Sequence, residues 1–191
     1  MNNMRIIELI IENEIDGIDA VSVVDYPAME SNFIALSKQH EVKLAEVDAE
    51  RRVIMGAALI PDKQIYRKDG DDEYYIFFSK DTVRQASELF LKNGNQKEST
   101  LKHEVKLTGM TVVESWIIED ENLDKSRKYD LSLPVGTWMI SVKVDNDDVW
   151  QKIKLGEVKG FSIEGSFADK LDLKKHEDLI TKIIKELSDG K

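Results

Sequence analysis

Apolar residues in this chain recur in short, β-branched runs bounded by turn residues, and these runs do not alternate regularly with helices. In "VGTWMISVKVD", Trp138, Ile140, Val142 and Val144 alternate with Thr137, Met139, Ser141 and Lys143, which is the period of a strand. Residues 4–12 and 18–25 are strand-length runs separated by Gly17 and ended by Pro27. Strands at 52–60 and 73–79, joined by a polar loop with a turn at Asp69-Gly70, predict a hairpin-like unit. Three more runs read as strands: "LKHEVKLTG" (101–109), "TVVESWIIED" (111–120) and "GEVKGFSIEGSF" (156–167).

Helical patterns are fewer. Ser79 can cap "KDTVRQASELFLKN", where Val83, Ala86 and Phe90 form one stripe and Asn93-Gly94 supplies the stop. Asp147 or Asp148 can begin "DVWQKIKLG", with Val149, Trp150 and Ile153 facing inward and Gly156 closing the end. Leu179, Ile183 and Leu187 mark an amphipathic terminal helix. Roughly seven or eight strands to three helices, with no βαβ alternation and no glycine-rich phosphate loop, predict an α+β fold, mainly antiparallel β. The simplest arrangement is a sheet or barrel with peripheral helices, in a domain spanning 1–168, followed by a helical segment or tail at 169–191.

Composition narrows the chemistry. With 191 residues, 41% of them hydrophobic, the chain can build a core. The absence of cysteine excludes disulfides, thiolate metal sites and cysteine nucleophiles. His40, His103 and His176 are far apart, and the short acidic runs "DGDDE", "EDENLD" and "DNDD" suit solvated loops, so neither a metal nor a cofactor is expected. A formal charge of −10 argues against general nucleic-acid binding. Glu8, Glu12 and Glu14 interrupt the opening run, which therefore resembles neither a membrane span nor a signal peptide, and a cytosolic location is expected.

Hydrolytic options reduce to a serine or threonine with a base, a carboxylate pair, or an oxygen-liganded metal. If "LKHEVKL" is one strand, His103 shares a face with Leu101, Val105 and Leu107 and is partly buried. Composition alone reads it as a structural histidine. Ser162 leaves its strand opposite Phe161 and Ile163, between Gly160 and Gly165, where a backbone could approach a substrate. A serine on a wet strand face is commonplace, and Ser115 is a rival that spacing does not separate from Ser162.

The segments "VSVVDYPAM", "AALIPDKQIYRKDGDDEYYIFFS", "KHEVKLTGMTVVESWIIED" and "LPVGTWMISVKVDNDDVWQKIKLGEVKGFSIEGSF" change that balance. In order and spacing they resemble the tailed-phage prohead maturation proteases, in particular the XkdF-like phage serine proteases. The family is similar in fold to the herpesvirus assemblins, which implies a β-barrel surrounded by helices. The resemblance also implies that His103, as general base, and Ser162, in Gly160-Phe161-Ser162-Ile163, as nucleophile, carry the chemistry.

Two departures accompany it. The strand that ends the domain in many relatives looks like "AVSVVDYPAM" near the N-terminus here, as in a circular permutation, and the acid of that motif is replaced by Ala20. Glu114 and Asp25 are the leading candidates for the third catalytic member, with Asp19 and Glu164 behind them. The implied function is a serine endopeptidase acting in the host cytoplasm, inside the assembling prohead. Its substrates would be scaffolding protein and major capsid protein, and it could self-associate, with no nucleic-acid or membrane partner. The alternative is a non-catalytic prohead core or scaffolding protein with the same fold.

Overall fold

The computed structural model describes residues 4–13, 15–27, 34–36, 51–171 and 179–181, those at 34–36 by their backbone. Most of the expected terminal helix, together with His40 and His176, lies outside the described residues.

The strands form three four-stranded sheets. The first orders its strands β12 (Ala168–Asp169), β1 (Arg5–Ile10), β6 (Asp72–Phe78) and β5 (Ile65–Asp69). The second runs β3 (Ile34–Leu36), β4 (Val53–Leu59), β10 (Trp138–Val144) and β9 (Met110–Ile117). The third runs β11 (Gly160–Ser166), β2 (Gly17–Val24), β7 (Ser99–Leu101) and β8 (Val105–Leu107). Pairings β1–β6 and β2–β7 are parallel, and the other ladders among the described residues are antiparallel. The fold is therefore α+β and mainly antiparallel, but its ladders do not close into one barrel among the described residues.

The hairpin expected between 52–60 and 73–79 is not formed. The polar connection contributes β5, which pairs with β6 through a turn at Gly70 and Asp71, while β4 joins another sheet. Burial explains the split. Ile54 to Leu59 are all buried, so β4 needs neighbours on both flanks, whereas Tyr66 to Asp69 are exposed and suit an edge. β10 is also buried on both faces, Met139 and Ser141 as fully as Trp138 and Ile140, so its alternation does not mark a wet side.

Helix α1 (Lys80–Lys92) begins as expected: Ser79 Oγ accepts the Thr82 N–H. Its stripe of Val83, Ala86 and Phe90 is fully buried, and Phe90 meets Trp138 edge-to-face at 5.4 Å. Helix α2 (Asp147–Lys154) begins at Asp147, one of the two expected positions, with Asn146 as its cap, Asn146 Oδ1 accepting the Val149 N–H, and it buries Val149, Trp150 and Ile153. These helices and the inner sheet faces form one core, which fixes the positions of β2, β7 and β11.

Candidate active site

His103 does not lie in a continuous strand. The segment 101–109 folds into a hairpin of β7 and β8, with a β-turn from Leu101 to Glu104 closed by the Glu104 N–H on the Leu101 carbonyl at 3.0 Å. The two central residues, Lys102 and His103, have φ of 51° and 63°. Positive φ at both is the signature of the hairpin turn class whose twist matches the flanking strands. The histidine is therefore exposed at a turn tip instead of partly buried beside Leu101, Val105 and Leu107.

The turn is latched to β2. Val23 O accepts the Lys102 N–H at 3.1 Å and Ser22 Oγ accepts the His103 N–H at 3.0 Å. Lys102 Nζ donates to Asp25 Oδ2 at 2.9 Å. That bond holds the Asp25 carboxyl below its ordinary range and raises the Lys102 ammonium above its own.

Ser162 and Ser22 are direct partners across the β11–β2 ladder, and Ser22 is in turn the partner of Thr100 on β7. Directly paired residues project from the same sheet face, with Cβ atoms roughly 4.5–5.5 Å apart in an antiparallel pair. Ser162, Ser22 and Thr100 thus form a hydroxyl row. Glu164, two residues along β11, shares their face and stands opposite Ala20. Its Oε1 accepts from Thr100 Oγ1 and lies 3.1 Å from His103 Nδ1.

A carboxylate can only accept, so this contact puts the proton of a neutral His103 on Nδ1 and leaves the Nε2 lone pair available as a base. Nε2 has no hydrogen-bond partner among the described residues, and neither does Ser162 Oγ. Ser162 is 8% exposed, so it is not on a wet face. Gly165 serves the chain itself: an added Cβ would stand 1.9 Å from Gly17 O, so the close approach is to β2, where the ladder bulges.

The structure brings together His103, Glu164 and the Ser162 face of β11 and leaves the favoured acids elsewhere. Glu114 lies in the β9–β10 sheet, accepting from Lys125 at 2.7 Å and Ser141 at 2.5 Å, bonds that hold its carboxyl pKa below the ordinary range. Asp25 binds Lys102, and Asp19 is exposed. Ser115 is occupied as acceptor for the Trp138 indole at 2.8 Å. Sequence reasoning missed Ser22 and Thr100 as neighbours of His103; the only signal was their place in strand-like runs, which does not specify register.

Two curated proteins of Bacillus subtilis (strain 168) are similar to the chain, each 26% identical over 156 residues. The alignment with "Phage-like element PBSX protein XkdF" covers 78% of the chain and 52% of that protein. The alignment with "Uncharacterized protein YqbD" covers 76% and 43%. The chain thus spans about half the length of the curated relatives it matches. No solved structure matches it significantly. The family model described as "Putative phage serine protease XkdF" matches residues 41–172, a stretch that contains His103, Ser162 and Glu164 but not β1 or β2. That match covers more than half of the chain, and the chain belongs to this family of phage proteins.

Proposed function

We propose that the protein is a serine endopeptidase of phage assembly, with Ser162 as nucleophile, His103 as general base and Glu164 as the acid that orients the imidazole. The observation that carries this reading is the His103 Nδ1–Glu164 Oε1 contact at 3.1 Å on the sheet face that holds Ser162. Ala20 occupies the place of the acid in the resembling motif, and Glu164 is its direct cross-strand partner. Glu164 therefore presents a carboxylate one ladder step from Ala20, on the same sheet face.

In this reading Ser162 Oγ attacks the scissile carbonyl as its proton passes to His103 Nε2. The tetrahedral intermediate then collapses as that proton goes to the leaving amine. Glu164 keeps Nδ1 protonated and stabilises the imidazolium that forms between these steps. Water repeats the sequence on the acyl-enzyme. The pairing of β2 with β11 also suits a permuted assemblin-like domain, since the "AVSVV" strand from the N-terminal part of the chain lies beside the Ser162 strand.

The proposed substrates are scaffolding protein and the leader of the major capsid protein, inside the assembling prohead. Ser162→Ala should leave both unprocessed when they are co-expressed with the protein and followed on a gel; unchanged processing would sink the assignment. The near-complete burial of Ser162 favours one second reading, a non-catalytic prohead core protein of the same fold. Under that reading the wild type would process neither protein.

A further inference from the structure

We infer that Ser22 is a positioning residue for the proposed reaction: its hydroxyl clamps the turn that presents His103, and so couples the base to the strand neighbouring the nucleophile. This rests on the serine endopeptidase reading above. Neither Lys102 nor His103 is a glycine or asparagine, yet both adopt positive φ. A left-handed conformation costs about 1–2 kcal/mol for such residues and persists only where the surroundings fix it. The contacts on the backbone of these two residues from outside the turn come from Val23 and Ser22 of β2, and Asp25 just beyond that strand holds the Lys102 ammonium.

Of these contacts, Ser22 makes the one to the histidine itself. Its side chain is fully buried, accepts the His103 N–H at 3.0 Å and donates toward the Thr100 carbonyl at 3.4 Å. Both functions of the hydroxyl are used inside the protein, so Ser22 is not a competing nucleophile. Its neighbours complete the geometry: Ser162 is its partner on one side, and on the other is Thr100, whose hydroxyl binds the same Glu164 oxygen that faces His103. One buried hydroxyl therefore sets the height of His103 over the row, while Thr100 fixes the carboxylate. Losing the clamp should let the turn relax toward negative φ and carry the imidazole away from Glu164.

The test pairs amide hydrogen exchange at His103 with the rate at which a fluorophosphonate modifies Ser162, both on the full chain. In Ser22→Ala the His103 amide should exchange about fivefold faster, the loss of one hydrogen bond, and labelling should slow at least tenfold at unchanged probe affinity. Amides in the β4–β10 ladder should exchange as in the wild type.

Should Ser22→Ala fail to fold, Asp25→Asn releases the exposed latch to Lys102, and a smaller acceleration of His103 exchange with slower labelling is expected. Faster exchange with undiminished labelling, or no change in either, would overturn the positioning role. A wild type that resists labelling while its His103 exchange responds to Ser22→Ala would instead overturn the hydrolase reading and leave the clamp standing.

Discussion

At the scale of residues, two carboxylates in strand-like runs, Glu164 and Glu114, have different partners, and their substitutions should separate accordingly. Glu164→Gln keeps the shape but can donate toward Nδ1 instead of accepting from it, which favours the wrong imidazole tautomer. Labelling of Ser162 by a fluorophosphonate should slow about 10²- to 10⁴-fold with the fold intact by circular dichroism. Glu114→Gln should leave labelling unchanged. Glu114 is half exposed, so its ion pair with Lys125 contributes less than about 1 kcal/mol after solvent screening.

The pH dependence of that contribution should appear only on the acid side. Because the folded-state value lies below the ordinary 4.5, the contribution is present above that pH and is lost as pH falls through the lower folded value. Urea titrations of Glu114→Gln should therefore show a shallower loss of stability below about pH 4.5 than the wild type. Gly165→Ala should destabilise by about 2–3 kcal/mol, since its methyl group would collide with the β2 backbone at Gly17; urea midpoints would measure this.

At the scale of elements, the parts with explicit start and stop chemistry were legible. Ser79 and the stripe of Val83, Ala86 and Phe90 defined α1, and Ser79→Ala should cost about 1 kcal/mol in thermal or urea unfolding. Strand runs such as Trp138–Val144 were legible from their period. The turn at Lys102-His103 was not, because "LKHEVKL" keeps an alternating pattern through it and offers no glycine, asparagine or proline. Its positive φ values are imposed from outside, by Val23, Ser22 and Asp25 of the β2 segment. The acid beside His103 was obscured for the same reason. Its identity depends on the β2–β11 register, which pairs Glu164 with Ala20 and is fixed by packing across the sheet.

At the scale of the whole molecule, the core and the site belong to one structure. Phe90 of α1 packs on Trp138 of β10, and α1 also lies against β2, the strand that latches the His103 turn and pairs with the Ser162 strand. Phe90→Ala should cost about 3–5 kcal/mol in urea unfolding, a loss large enough to loosen the site from a distance. The central claim is that Ser162, His103 and Glu164 act together as a hydrolytic unit. It is tested most directly by treating the full chain with a fluorophosphonate and locating the adduct by peptide mass spectrometry. The account predicts one adduct, on Ser162, abolished by His103→Ala and strongly slowed by Glu164→Gln. Modification of another serine, or labelling of Ser162 that is indifferent to His103, would contradict it.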